Sequence, residues 1–205
     1  MPDTPQEKLR KEFDINLTGA VTWAFEFENQ PWFYGFRDLA TNGVDKPVLN
    51  TFRMLGMMKG NWVKAESNHQ YSLQQILDSS VRDMQTDVGV MAAKENNNAA
   101  VMIWNYHDAD IKGDTINVTV SVSNISAKSI KLTQYRIDDR HGNAYTVWKQ
   151  MGSPQNPTPA QVTALEKAGQ LQQLNAAETL NIKNHSVQIN IALPRQAVTL
   201  LKLSW

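Results

Sequence analysis

The hydrophobic pattern of the chain changes near residue 60, and this change limits the folds that the sequence can adopt. After residue 61 apolar and polar side chains alternate, most regularly in residues 115–122 and 130–137. Side chains two apart lie on one face of a strand, so this alternation predicts strands with one buried face. Residues 99–105, 187–193 and 198–205 are predicted as further strands. Short connections between them indicate a mainly β fold, an antiparallel β-sandwich.

One long interruption separates two of these strands. Residues 138–174 hold a polar-aromatic stretch, a proline-rich stretch at 154–159 and a predicted helix at about 160–171. An insertion of this size is more often functional, or an interface, than idle. We therefore expect a β-sandwich with a helical insertion.

The first 60 residues show a different pattern. Residues 5–13 predict a short helix, residues 20–25 form an apolar run typical of a buried strand, and Pro47 is placed to open a second helix that ends near Gly60. Three apolar side chains of the second helix are predicted to share one face: Val48, Phe52 and Leu55.

A lone strand between two helices is not a stable unit. It leaves backbone donors and acceptors unpaired, and one such unit buries too little apolar surface. We interpret residues 1–60 as an orphaned α-β-α remnant of a repeating α/β barrel, and residues 61–205 as a second, β-sandwich domain. A complete barrel needs roughly 250 residues, which this chain of 205 residues does not have.

Charge and hydropathy exclude several classes of partner. Lys and Arg together number 20 and balance 20 Asp and Glu, so nothing attracts a phosphate backbone or an anionic lipid surface. No apolar run reaches the roughly 18 residues of a membrane span. We expect no nucleic acid and no membrane partner. The N-terminal residues do not resemble a signal peptide, which predicts a cytoplasmic protein or an already trimmed periplasmic or secreted one.

The chain has no cysteine, which excludes disulfides, thiolate nucleophiles and thiolate metal sites. Its four histidines are scattered, and none pairs with another at the i, i+4 spacing that brings two ligands onto one helix face. We therefore expect no metal and no cofactor. Residues 107–110, with the sequence HDAD, are where a metal site would be sought.

Several segments resemble glycoside hydrolase family 39, the β-xylosidases. The N-terminal ones resemble the last strand, loop and helix of that family's barrel: TWAFEFENQP at 22–31, GFR at 35–37, LATNG at 39–43 and KPVLNTFRM at 46–54. The later ones resemble its accessory β-sandwich: VMIWNYHD at 101–108, YRID at 135–138, HGNAY at 141–145, MGSP at 151–154 and LPRQAV at 193–198. These segments follow the family's order over nearly the whole chain.

The resemblance implies a retaining glycosidase. Such enzymes set two carboxyl groups about 5–5.5 Å apart across the scissile bond, and in this family both lie on earlier barrel strands, without counterparts here. No catalytic residue is therefore expected in this chain. The resemblance implies substrate binding by Trp23, which would wall the sugar subsite, and by Glu26 and Glu28, which would hydrogen-bond its hydroxyls. Both glutamates rise from one strand, so they cannot flank the scissile bond as a substitute catalytic pair.

Other interpretations of these residues remain open. Trp23 and Phe25 are equally suited to a buried core. The aromatic run at 32–36 is a sugar platform or, as we favour, a hydrophobic plug for the barrel mouth. A polar-aromatic cluster is able to bind carbohydrate, although we favour packing at the domain interface: His141, Asn143, Tyr145 and Trp148.

Three functions are compatible with these features. The chain is the C-terminal part of a β-xylosidase that is inactive alone, an independent carbohydrate-binding β-domain, or a subunit that completes the active site of a separate N-terminal barrel chain. The substrate of the complete enzyme would be a xylose-containing oligosaccharide. Without a barrel, the apolar surface of residues 20–58 is expected to pair with a second copy, which predicts a homo-oligomer.

Overall fold

The computed structural model describes residues 14, 30–35, 38–82 and 87–205. The predicted helix at 5–13 and the predicted strand at 20–25 lie outside these residues. The described residues before residue 82 contain five elements: β1 (Ala40–Thr41), β2 (Val44–Asp45), α1 (Pro47–Met57), β3 (Asn61–Val63) and α2 (Leu73–Ser79).

The rest of the chain is mainly strand. All five predicted strands are present, together with β4, which the alternation did not reveal, and two helices and two short strands complete the region. The elements are β4 (Asp87–Glu95), β5 (Asn98–Tyr106), β6 (Ile116–Ser123), β7 (Ser129–Ile137), α3 (Ala144–Gln150), α4 (Pro159–Gly169), β8 (Gln172–Gln173), β9 (Glu178–Asn181), β10 (Ser186–Leu193) and β11 (Val198–Ser204).

Two antiparallel sheets make the sandwich, which confirms the predicted fold class. The large sheet has the order β3-β4-β5-β11-β7-β8, and β9 also pairs with β7. The small sheet contains β6 and β10, in a register that runs from Ile116 opposite Leu193 to Ser123 opposite Ser186. β11 follows all other strands in sequence, yet it lies in the middle of the large sheet, between β5 and β7.

The main core lies between the two sheets. Every second residue of β10 points into it and is at most 6% exposed, whereas the residues between them are exposed. Burial of each such side chain contributes about 1.5–3 kcal/mol. The core residues of β10 pack with apolar residues of β5 and β11: Val187, Ile189, Ile191, Leu193, Val101, Ile103, Leu201 and Leu203.

Helix α1 covers the opposite face of the large sheet. Its Met54 is fully buried and packs with Ala100 and Met102 of β5 and with Leu200 of β11. The other face of α1 carries the three side chains that the sequence placed together, and they are 37–39% exposed: Val48, Phe52 and Leu55. The helix is therefore apolar on both faces and buries one of them against the sandwich.

The helical insertion has a small core of its own. Val44 of β2 packs with Ala144 and Trp148 of α3 and with Leu165 of α4. Helix α4 begins with a capping box, in which Thr158 accepts a hydrogen bond from the Gln161 backbone N–H and the Gln161 side chain accepts one from the Thr158 N–H. Residues 40–58 thus pack directly on later parts of the chain, and the division into domains at residue 60 stays a prediction. Over the described ranges, no helix has the length and apolar character needed to cross a membrane.

Candidate functional site

The three predicted substrate-binding residues, Trp23, Glu26 and Glu28, lie outside the described residues. The structure describes the segment that directly follows them. This exit loop, which we define as residues 30–35, is held by the helical insertion and by the hairpin of β1 and β2. It is the described segment that lies nearest in sequence to the three predicted substrate-binding residues.

Backbone groups of the exit loop bond to side chains of the helical insertion and of the hairpin of β1 and β2. The Trp32 N–H donates to Gln155 Oε1 at 2.9 Å, and the Phe33 N–H donates to Thr41 Oγ1 at 3.1 Å. Asn42 Nδ2 donates to the Gln30 carbonyl at 3.1 Å. One bond joins the loop to the helical insertion and two join it to the hairpin of β1 and β2, so contacts outside the loop set its course.

Lys46 anchors the C-terminal end of the exit loop. Its buried ammonium donates to the Gly35 carbonyl at 2.8 Å and to the Tyr34 carbonyl at 3.3 Å, and the Asp38 carboxylate lies 3.8 Å away. Burial lowers the pKa of Lys46, while the attraction and hydrogen bond of Asp38 partly oppose this change. Lys46 is thus a structural cation that orders backbone carbonyls.

Aromatic side chains of the exit loop pack into the insertion. The Phe33 ring lies 5.1 Å from the Trp148 ring and 5.5 Å from the Tyr145 ring. Trp148 is buried, and its Nε1 donates to the Pro154 carbonyl at 2.9 Å. Tyr145 stacks on Trp148 at 5.7 Å and carries Lys149 Nζ 4.5 Å above its ring. Phe33 and Trp148 therefore serve as packing groups, whereas Tyr145 packs one face on Trp148 and is 41% exposed.

The polar members of the same cluster also bond internally. His141 Nδ1 lies 2.8 Å from Asp138 Oδ1, which also accepts from the His141 N–H at 3.0 Å. Asn143 Nδ2 donates to the Asp138 carbonyl, and Asn143 Oδ1 accepts from the Thr146 N–H at the start of α3. These contacts favour the interpretation of the cluster as packing over that of a carbohydrate site.

Tyr34 of the exit loop, in contrast to Phe33, has an exposed side chain, at 71%.

A buried polar group joins α1 to the insertion. Asn50 is fully buried, and its Nδ2 donates to the Gly142 carbonyl at 3.1 Å and to the Gly169 carbonyl at 2.6 Å. Arg53 bonds both Asn50 Oδ1 and Asp45, so the network reaches β2. At Gly169, an added Cβ would lie 2.7 Å from the Asp45 carbonyl oxygen, a contact that only glycine allows.

Residues 107–110 do not form a metal centre in the structure. His107 is buried, and its Nδ1 accepts from the Ala109 N–H at 3.0 Å. Asp108 pairs with Arg82 at 3.2 Å on the surface. Within the described ranges, no three His, Asp or Glu side chains gather closely enough to hold a metal ion.

Sequence reasoning missed Lys46 and Asn50. A signal was present for Asn50, because a polar residue that lies four before Met54 falls on the face of α1 that the helix buries. The sequence does not show which distant carbonyls these side chains bond, since their partners lie up to 119 residues away.

Comparison with known proteins places the chain among glycosidases. The model of Glycosyl hydrolases family 39 matches residues 17–181. A β-xylosidase of Geobacillus stearothermophilus is 25% identical over 114 residues, which make up 56% of this chain and 22% of the relative.

Solved structures share the fold. A monomeric β-xylosidase from Caulobacter crescentus CB15 superimposes with a TM-score of 0.72 and 18% identity, over 97% of this chain and 40% of its own. A GH39 enzyme from Xanthomonas axonopodis pv. citri gives a TM-score of 0.68 and 18% identity, over 85% of this chain and 33% of its own. The chain therefore spans less than half the length of each of these relatives.

Proposed function

The chain belongs to glycosyl hydrolase family 39, and from that premise we propose that it supplies the C-terminal part of a retaining β-xylosidase-type enzyme. In this proposal the two catalytic carboxylates come from a barrel segment outside these 205 residues. The chain contributes one wall of the sugar pocket and the β-sandwich that supports it. The substrate of the assembled enzyme is a xylose-containing oligosaccharide.

The observation that carries the proposal is the anchoring of the exit loop. Gln155 of the helical insertion, Thr41 of β1 and Lys46 bond the backbone at residues 32–35, which follow Trp23, Glu26 and Glu28 in sequence. A sugar pocket needs its binding groups held in a defined position, because misplacement by about 1 Å costs much of the catalytic rate. The accessory part of the chain thus has a role in orienting the predicted pocket wall.

The predicted wall suits a sugar. Trp23 would pack on the C–H face of the sugar, while Glu26 and Glu28 would accept hydrogen bonds from its hydroxyls. Neither glutamate replaces the missing acid/base and nucleophile, so the chain alone should not hydrolyse xylosides. Binding without hydrolysis is the expected property of the isolated chain.

Hydrolysis of an aryl β-xyloside tests the proposal. The purified chain is assayed alone and together with a barrel-bearing polypeptide, here the part of the Caulobacter crescentus β-xylosidase that this chain does not cover. We expect no turnover from the chain alone and turnover from the mixture that Glu26→Gln or Glu28→Gln weakens. Turnover by the chain alone that survives repurification and disappears in Glu26→Gln would overturn the assignment.

We propose further that copies of the chain associate when no barrel polypeptide is present. The outer face of α1 exposes Val48, Phe52 and Leu55 at 37–39% each. Their turn-by-turn spacing makes one apolar stripe, the kind of surface that a second identical helix can cover around a two-fold axis.

A further inference from the structure

Methionine is distributed unevenly over the two faces of the large sheet. Among the described residues, the core between the two sheets contains no methionine. The cluster on the opposite face, where α1 packs, contains five of the eight methionines of the chain: Met54, Met57, Met58, Met91 and Met102. Both cores bury apolar side chains against the same strands, so burial alone does not explain this difference.

The five methionines differ in their access to solvent. Met54 of α1 and Met102 of β5 are buried, at 0% and 4% exposed. Met57, Met58 and Met91 pack against the same cluster but are only half-buried. The cluster therefore has a closed inner part and a rim that water and small solutes can reach.

Met57 and Met58 lie on this rim, at the C-terminal end of α1. Met57 is the last residue of the helix, and Met58 caps it by donating its N–H to the Leu55 carbonyl. Gly60 then turns the chain into β3 with a φ of +85°, where an added Cβ would collide with the Lys94 carbonyl. This turn holds the two methionine side chains at the edge of the cluster.

A half-buried thioether is a target for oxidation. Methionine fills irregular gaps because it is unbranched and polarizable, but a peroxide converts its sulfur to a sulfoxide, which is polar and chiral. The chain has no cysteine, so methionine is its only sulfur-containing residue. Peroxide should therefore act on this chain at its accessible methionines.

We propose that Met57 and Met58 form a reversible oxidation site that controls the attachment of α1 to the sandwich. A hydroperoxide transfers one oxygen to each thioether: the O–O bond breaks, an S–O bond forms, the sulfur loses two electrons, and the second oxygen leaves as water or an alcohol. The sulfoxide oxygen then lies against mainly aliphatic side chains and is hydrated only when α1 moves away from the sheet.

The reverse step needs a sulfoxide reductase and a thiol reductant. Two thiols are oxidised to a disulfide, the S–O bond breaks, and the oxygen leaves as water. The thioether is restored, and α1 can pack on the sheet again. The site does not depend on the proposed function, because it is tested on the isolated chain without any substrate.

Helix α1 also carries the groups that hold the exit loop and the helical insertion. Lys46, the N-cap residue of α1, donates to the Gly35 carbonyl. Asn50 donates to the carbonyls of Gly142 and Gly169. Because α1 has eleven residues, about three turns, a displacement of its C-terminal end moves these groups as well. Oxidation at the rim would therefore loosen the exit loop and leave the core between the sheets intact.

The first experiment treats the purified chain with hydrogen peroxide and follows sulfoxide formation and hydrogen exchange by mass spectrometry. We expect sulfoxide at Met57 and Met58 before Met54 and Met102. Hydrogen exchange of α1 and of residues 30–35 should then accelerate by about tenfold or more, because a buried polar group without a partner favours the open state. Hydrogen exchange of β10 should stay unchanged.

Two variants assign the effect to the rim. Met57→Leu with Met58→Leu keeps the apolar volume nearly constant and removes both sulfur atoms, so peroxide should no longer accelerate exchange of α1. Met151→Leu is the matched control, because Met151 is half-buried in the small core of the insertion. This variant should respond to peroxide in α1 as the unsubstituted chain does.

Reversal separates a switch from damage. Methionine sulfoxide reductases A and B together reduce both sulfoxide epimers. Treatment of the oxidised chain with both enzymes and dithiothreitol should restore the original hydrogen exchange of α1 and of residues 30–35.

Several results would overturn the proposal. One is unchanged exchange of α1 in the unsubstituted chain after peroxide treatment, a measurement that does not depend on whether any variant folds. Others are equal acceleration in β10, which would mean global unfolding, and equal acceleration in the variant that lacks Met57 and Met58. Failure of exchange to recover after the sulfoxides have been reduced would show irreversible damage.

Discussion

Different forces stabilise the core of the sandwich and hold the exit loop in position. Between the sheets, the alternating side chains of β10 and the apolar side chains of β11 are excluded from water, and few specific bonds are involved. Around the exit loop, buried polar side chains donate to specific backbone carbonyls. Lys46 donates to Gly35, and Asn50 donates to Gly142 and Gly169. Hydrophobic burial is non-directional, whereas a buried hydrogen bond requires one partner in one place. The sandwich therefore provides stability, and the polar contacts provide position.

The largest loss of stability is expected in the sandwich. Leu201 of β11 is fully buried, so Leu201→Ala leaves a cavity and should lower the free energy of unfolding by about 2–5 kcal/mol. Chemical denaturation followed by tryptophan fluorescence measures this change. Lys202→Ala, an exposed change on the same strand, serves as the control. A loss below about 1 kcal/mol for Leu201→Ala would show that the core between the sheets is loose.

Asn50→Asp tests the polar contacts at nearly constant volume. The change replaces the amide donor with an acceptor that faces two carbonyl oxygens, and we expect a loss of about 1–3 kcal/mol. The effect should be local, so hydrogen exchange should accelerate in α3 and α4 but not in β10. Uniform acceleration across both regions would mean that the insertion and the sandwich unfold as one unit.

The third substitution, Lys46→Met, removes the donor to the carbonyls of the exit loop. We expect a loss of about 1 kcal/mol and faster proteolysis near Tyr34. Lys64→Met is the control, since Lys64 is exposed and its pair with Glu66 should contribute at most about 1 kcal/mol. Unchanged proteolysis in Lys46→Met would show that the loop does not depend on this side chain.

The lowered pKa of Lys46 predicts that the stability of the fold depends on pH. Burial lowers the pKa of Lys46 in the folded chain below its ordinary 10.5, so the unfolded chain binds the proton more tightly. Stability should therefore rise with pH between the folded pKa and 10.5, and Lys46→Met should lack this contribution. Urea denaturation of both proteins across that range would measure it, and parallel curves would contradict the assignment.

The smallest change in stability is expected on the outer face of α1. Phe52 is 39% exposed, so Phe52→Ser should change the free energy of unfolding by less than about 0.5 kcal/mol. The substitution should nevertheless weaken self-association of the isolated chain, as measured by sedimentation velocity at tens of micromolar. Glu166→Ser, an exposed change on α4, is the control. A monomeric unsubstituted chain would refute the proposed association.

The sequence predicted the parts of the fold that depend on apolar periodicity. The alternation of β6 and β10 was recognisable because one face of each strand differs from the other. In α1 the sequence grouped Val48, Phe52 and Leu55, which are 37–39% exposed, whereas the helix buries the face that carries Met54. β4 was not recognisable, since both of its faces are covered and its residues do not alternate. Position 89 of β4 requires glycine because the Trp104 indole occupies the space that a Cβ would need.

The site was predicted by resemblance more than by pattern. Trp23, Glu26 and Glu28 were chosen because the surrounding segments match a family, and their role stays a prediction. The anchoring role of Lys46 and Asn50 could not be predicted, because each bonds to backbone groups whose position only the folded chain defines.

The place of β11 has a consequence for how the protein is made. A ribosome releases the chain in order, and β5 and β7 emerge long before residues 198–204, which must lie between them. Until then the two halves of the large sheet have open apolar edges with no partner. Pairing over such a separation is slow, and waiting strands are prone to aggregate. Synthesis rate and chaperone supply should therefore govern the yield of this protein more strongly than its final stability does.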